Sequence, residues 1–142
     1  MSAGSGVVHS EFNGSETEPV HFLQIWIEPK SRGTKPSYEQ LKFEAEEKLD
    51  RFKLLASPEK VAGAATINQD TSVSVAELTP GKQVTYPLGK KRHAWLHVIY
   101  GEVTVNGKSL KTGDAVAADD EESLNVTAQG AANSEVLLFD LA

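Results

Sequence analysis

From Phe52 to the C-terminus, turn residues cut the sequence into short apolar runs of single-strand length. Asn106-Gly107, between Val103/Val105 and Leu110, is the strongest hairpin signal, because a two-residue type I′ loop needs positive φ at both central positions. Thr79-Pro80-Gly81 suits a type II turn, with proline presetting φ and glycine accepting the left-handed position. Thr112-Gly113-Asp114 turns the chain again a few residues after the hairpin. Such punctuation leaves little room for helices and specifies a β-sandwich, jelly roll or barrel.

The expected strands are Gly6 to Phe12, Val20 to Ile27, Phe52 to Ala56, Ala64 to Ile67, Thr71 to Leu78 and Gln83 to Leu88. They continue with Ala94 to Tyr100, Glu102 to Val105, Lys108 to Leu110, Ala115 to Ala118, Ser123 to Ala128 and Glu135 to Leu141. In Ser72 to Leu78, Val73 and Val75 share one face and Ser72, Ser74 and Ala76 the other, which predicts a strand buried on the valine side. Val20 to Ile27 is apolar on both faces and is expected to be covered on both. Leu137, Phe139 and Leu141 are expected to close the core, and Trp26 and Trp95 to lie within it. Leu41, Ala45, Leu49 and Phe52 have helical spacing, and Ser37 is a candidate cap. We therefore expect a short helical turn near residues 44–51 in a linker, 29–51, between an N-terminal piece, 1–28, and a β module, 52–142.

Composition narrows the function. With 20 Asp and Glu against 14 Lys and Arg, the net charge of −6 argues against a nucleic-acid or anionic-membrane surface. Lys90-Lys91-Arg92 is too short a basic run to alter that and reads as a solvated turn. The absence of cysteine excludes disulfides, thiolate metal sites and thiol nucleophiles. No apolar stretch reaches the roughly 20 residues of a spanning helix, and the N-terminus lacks a signal-peptide pattern. A cytoplasmic location is expected.

One pair of residues has metal-binding chemistry. His9 and Glu11 are two apart, so on an extended strand imidazole and carboxylate point the same way. A mixed N/O pair suits Fe(II), Mn(II) or Ni(II). His21 is the nearest additional imidazole in the chain. His93 and His97 would share a strand face about 13 Å apart, too far for one ion. Asp119-Asp120-Glu121-Glu122 lacks the ligand spacing of a calcium loop and reads as a solvated turn. No G-x-S-x-G elbow or phosphate-binding loop is present.

The ordered stretches AGSGVVHSEFN, EPVHFLQIWI, PSYEQ, LLASP, AWLHVIYGEVTVNG, GDA and SEVLLFDL resemble the pirin family, in particular its bacterial quercetinase-like members. The resemblance implies a cupin jelly roll. Pirins carry two cupins in one chain, the first with a mononuclear metal held by three histidines and a glutamate. Some members open flavonols such as quercetin with O₂, and others act through protein partners. In that pattern HSEF supplies the third histidine and the glutamate, here His9 and Glu11. The H-x-H pair supplying the other two histidines is not in this sequence. Residues 1–28 would correspond to the last strands of the first cupin, and 52–142 to the second. In the second, the usual ligand positions fall near Pro87, Gly89, Ala94 and Ser123, none able to bind metal well.

Two readings follow. One is a non-catalytic binding or structural module with an incomplete metal site and no cofactor. The other is a quercetin 2,3-dioxygenase-like enzyme, with Glu11 as a base and with ligands completed by His21, another subunit or another chain. The apolar segments near residues 5–12 and 20–27 would pack on the barrel or pair with a second copy. A protein partner is the other expected association.

Overall fold

The computed structural model describes all 142 residues. Ten strands form two sheets: β1 (Lys53–Ser57), β2 (Ala65–Thr66), β3 (Thr71–Leu78), β4 (Gln83–Pro87), β5 (His93–Tyr100), β6 (Glu102–Val105), β7 (Lys108–Lys111), β8 (Ala115–Ala118), β9 (Ser123–Ala128) and β10 (Ser134–Leu141). One sheet has the order β2-β1-β3-β10-β5-β8, the other β4-β9-β6-β7. All pairings are antiparallel except β1 with β2. This is the expected cupin β-sandwich. No helix is long and apolar enough to cross a membrane.

The predicted turns have the geometry their residues favour. Asn106 and Gly107 both take positive φ, 46° and 83°, and Val105 pairs with Lys108 across the loop. Gly81 has φ 75°, and Lys82 N donates to Thr79 O at 3.0 Å.

The space between the sheets is filled. Leu78, Leu96, Val98, Val103, Val126, Val136 and Leu138 are all fully buried. Phe52 meets Tyr86 edge-to-face at the periphery, with ring centroids 5.2 Å apart. Ala94, at an expected ligand position of the second cupin, is buried within this apolar core.

Burial departs from the expected pattern on the large sheet, because both of its faces are partly covered. In β3, Ala76 and Leu78 point into the main core, whereas Val73 and Val75 join Leu137 in a smaller cluster on the outer face. The side marked by small residues is thus the inner one. A tightly filled sandwich takes small side chains where strands approach closely. In β10 the core is closed by Val136 and Leu138, while Leu137 and Phe139 belong to the outer cluster and Leu141 is half-buried. Trp26 and Trp95 lie outside the core, at 89% and 46% exposure.

The first 44 residues form no ladder. Neither Gly6–Phe12 nor Val20–Ile27 forms a strand, and residues 7–29 make no backbone–backbone hydrogen bond. Their side chains are mainly exposed rather than covered on two sides, Val8 and Phe12 at 99% and 88%. A β-prone sequence becomes a strand only with a neighbour to pair with, and here these segments have none. Ser37 caps no helix; it bridges to Ser2 through reciprocal bonds of 2.9 and 3.0 Å. The N-terminal arm returns to the barrel at residues 28–31. Lys30 N donates to Asn68 O at 2.7 Å, Asn68 Nδ2 to Ser31 O at 2.9 Å and Gln69 Nε2 to Glu28 O at 2.8 Å. Ile27 and Phe43 cover part of the outer cluster.

The helical turn shrinks to a 3-10 turn, Ala45–Glu47. Its continuation is diverted by tertiary pairing: Glu77 N donates to Lys48 O at 2.9 Å and Asp50 N to Glu77 O at 2.7 Å. Asp50, at φ 54°, then accepts from Thr79 N and Oγ1 at 2.9 and 3.1 Å. The Lys48 ammonium lies between Glu77 and Glu135, all three mostly buried. Burial opposes the Lys48 charge, but the Glu135 hydrogen bond and both carboxylates outweigh it and raise its pKa. The Asn133 amide and Lys48 hold the Glu77 carboxyl below its ordinary value, against the effect of burial. Lys48→Met leaves two carboxylates without their cation and is expected to cost about 2 kcal/mol in denaturant unfolding. Because the Glu77 pKa is lowered by folding, its contribution is in place above pH 4.5 and is lost as acid titrates it. Acid unfolding should therefore be shallower in the variant.

Candidate metal half-site

The structure brings His9 and Glu11 together and leaves His21 apart. His9 Nε2 lies 3.8 Å from Glu11 Oε1, with side chains 40% and 57% exposed. No group of three or more His, Asp or Glu side chains is placed to hold a metal ion. The two residues of the pair are neighbours in the chain, separated by Ser10 alone. Glu11 also lines a shallow cleft of about 310 Å³ with Phe12, Asn13, Val20, Phe22 and Leu23. The half-site therefore has an apolar, aromatic neighbourhood.

One imidazole nitrogen and one carboxylate suit a divalent transition ion. Their number falls short, because a protein-held ion of this class ordinarily has about three or four protein donors. The residues of this chain fit half of such a site.

The barrel has two polar networks whose members are remote in sequence. Arg92 Nε donates to Asp140 Oδ1 at 2.6 Å and Nη1 to Asp70 Oδ1 at 2.7 Å. Tyr86 Oη donates to the other Asp140 oxygen at 3.1 Å. Arg92 is thus a hub joining three segments rather than part of a solvated basic turn. Burial, followed by the Asp140 charge, pushes the Tyr86 hydroxyl up to about 12. Burial and the charges of Glu135 and Glu77 push Tyr100 up to about 12 as well. Both phenols are favoured neutral in the fold, so the stability they contribute is present below pH 10 and lost as pH rises toward about 12. A pH titration of thermal stability should fall across that window, and Tyr86→Phe should flatten its share.

His93 and His97 share the outer face of β5, and His93 Nδ1 is 2.6 Å from Asp119 Oδ1. This second histidine–carboxylate pair is exposed, at 50% and 68%, and shares no multi-donor cluster. Neither polar network, nor this pair, has a local sequence signature, since the bonded partners are 22 to 87 residues apart.

Comparison with known proteins decides the family. Residues 54–141 match the sequence profile of the quercetinase C-terminal cupin domain, and residues 1–27 match that of pirin. The chain belongs to the pirin family. It is 39% identical over 141 residues to quercetin 2,3-dioxygenase of Escherichia coli K12, covering 99% of this chain and 59% of that protein. It is 40% identical over 143 residues to a pirin-like protein of Caulobacter vibrioides, covering 100% of this chain and 60% of that one. The crystal structure of YhhW from Escherichia coli superposes with a TM-score of 0.75 at 34% identity, covering 82% of this chain and 48% of that one. A nickel(II) complex of the same bacterial pirin superposes at 0.71 and 33% identity, covering 80% and 47%. The chain thus spans less than two thirds of these relatives, and the activity of a whole pirin does not transfer to it directly.

Proposed function

We propose that this chain is a pirin-type module whose barrel, residues 52–142, is structural, and whose His9 and Glu11 are half of a metal site. The apolar filling of the barrel supports the first part. Leu96, Val98, Val126 and Leu138 occupy the volume where an internal site would lie, and all are fully buried. The 3.8 Å approach of His9 to Glu11 supports the second. When bound, a divalent ion would supply Lewis-acid and O₂ chemistry. His9 would hold it through an imidazole nitrogen, and Glu11 through a carboxylate oxygen or as a proton acceptor for a substrate hydroxyl. The chain would work in a reducing cytoplasm.

Elemental analysis followed by Ni(II) or Fe(II) titration tests this reading. Binding is expected to be lost in His9→Ala and retained in His93→Ala. Binding that survives His9→Ala would overturn it.

The sequence similarity to quercetin 2,3-dioxygenases favours a second reading, in which the completed site oxygenates a flavonol-like phenol. The Phe12, Phe22 and Leu23 cleft beside Glu11 is suited to an aromatic substrate. Metal-dependent loss of quercetin absorbance with matching O₂ uptake would support it. Metal-loaded protein that leaves quercetin intact would count against it.

A further inference from the structure

We propose that Asn106-Gly107, in the barrel, is a fold-guarded deamidation site. Its conversion needs the β6–β7 turn to open, and the product keeps that end of the small sheet from closing as before. The reaction is intrinsic to the dipeptide. The Gly107 backbone nitrogen attacks the side-chain carbonyl carbon of Asn106, Cγ, and a C–N bond forms. The side-chain nitrogen leaves as ammonia, carrying the proton that the Gly107 nitrogen gives up. Water then opens the cyclic imide at either carbonyl, leaving aspartate or isoaspartate. Glycine favours the first step because no Cβ shields its nitrogen. Water is the only co-reactant.

The fold opposes that first step by holding the amide against β9. β6 pairs with β9 through Val103, Thr104 and Val105, and the last of these faces Val126. One residue further on, the chain leaves β6 for the hairpin loop, and the Asn106 side chain continues the ladder in place of backbone. Asn106 N donates to Asn125 O at 3.1 Å, and Asn125 N donates to Asn106 Oδ1 at 2.8 Å. Asn106 Nδ2 donates to Ser123 O at 3.0 Å and to Glu121 Oε2 at 3.2 Å. Both polar atoms of the amide are therefore engaged by β9 or by the loop before it. Ring closure draws Cγ toward the Gly107 nitrogen and expels Nδ2, so it breaks the bonds that hold the amide in place. Asn106 and Gly107 are both exposed, so the turn can open without unfolding of the core.

The product does not fit the place it leaves. A carboxylate has no donor for Ser123 O, and it sets a second negative charge beside Glu121 where a donor stood. Isoaspartate also adds a backbone carbon to the loop, whereas the type I′ geometry is that of a two-residue turn with both central φ angles positive, here 46° and 83°. The change is covalent and one-way. It records that the turn has opened, and it weakens the contact of the β6–β7 hairpin with β9.

Peptide mapping by mass spectrometry tests the inference, following the mass gain at Asn106 in one mildly alkaline buffer with and without denaturing urea. Asn13-Gly14 repeats the dipeptide and is the internal reference, because the two sites should convert alike in the unfolded chain. The folded chain is expected to convert Asn106 at least about tenfold more slowly than the unfolded one. Glu121→Ala removes one acceptor from an exposed loop position. It should speed conversion in the folded chain and leave the rate in urea unchanged. Asn106→Asp should lower Tm by about 3–5 °C. Equal rates with and without urea, or a folded-state rate that ignores Glu121→Ala, would overturn the guarding role of the amide bonds. An Asn106→Asp variant as stable as the parent would overturn the claim that the product disturbs the sheet.

Discussion

Gly101→Ala is expected to cost about 3–5 kcal/mol and to leave the barrel barely folded at ambient temperature. Gly101 lies between β5 and β6 with φ 88°, and an added Cβ would fall 2.3 Å from Ser134 Oγ and 2.7 Å from Ser134 Cα. Ser134 is fully buried at the start of β10 and cannot easily retreat. Its hydroxyl accepts from Glu102 N at 3.1 Å and donates to Glu102 O at 3.0 Å, joining the two sheets at this corner. The substitution therefore combines left-handed strain, a clash with backbone and the loss of a buried hydrogen-bonded pair. Gly81→Ala is the control. It has a similar φ of 75° but no atom within 4 Å of the added carbon, so only the conformational cost of about 1 kcal/mol remains. Thermal unfolding of the two variants separates these contributions.

Leu138→Ala is expected to cost about 4 kcal/mol, close to the upper range for a core truncation. Leu138 is fully buried on β10, which pairs with β3 along its whole length and with β5 on the other side. It lies in register with Leu96 and Ser74, so strand neighbours on both sides hold its surroundings in place and limit collapse around the gap. Leu137→Ala, one residue away on the outer face, should cost about half as much, because its cluster has only three buried members and so fewer packed neighbours to lose. Denaturant unfolding at constant m-value measures the contrast. Equal costs would mean that the two faces are buried alike.

Local rules carried much of the barrel. Asn106-Gly107 and Pro80-Gly81 fixed turn positions because their backbone preferences need no distant partner. Val73 and Val75 are buried as their alternation implies, but which face of β3 and β10 meets the main core was not legible, because alternation reports only that two faces differ, whereas packing decides which one is inward. In β3 the interior received Ser74, Ala76 and Leu78, and the valines went outward. Val20 to Ile27 had the composition of a strand, but strand formation needs a neighbour, and the sequence of the segment itself does not contain that information. His9 and Glu11 were legible as a pair from their spacing. Lys48 with Glu77 and Glu135, and Arg92 with Asp70 and Asp140, were not legible, because no periodicity links residues so far apart in the chain.

The central claim is that metal chemistry resides in the N-terminal arm and that the barrel is structural. Paramagnetic broadening tests it most directly: substoichiometric Mn(II) is added to isotope-labelled protein, and the affected amide signals are mapped. The account predicts broadening centred on Val8–Phe12, with Ala94–Val98 and Leu124–Val126 unaffected. Broadening centred on His93, Asp119 or the barrel interior, with His9 and Glu11 untouched, would contradict it.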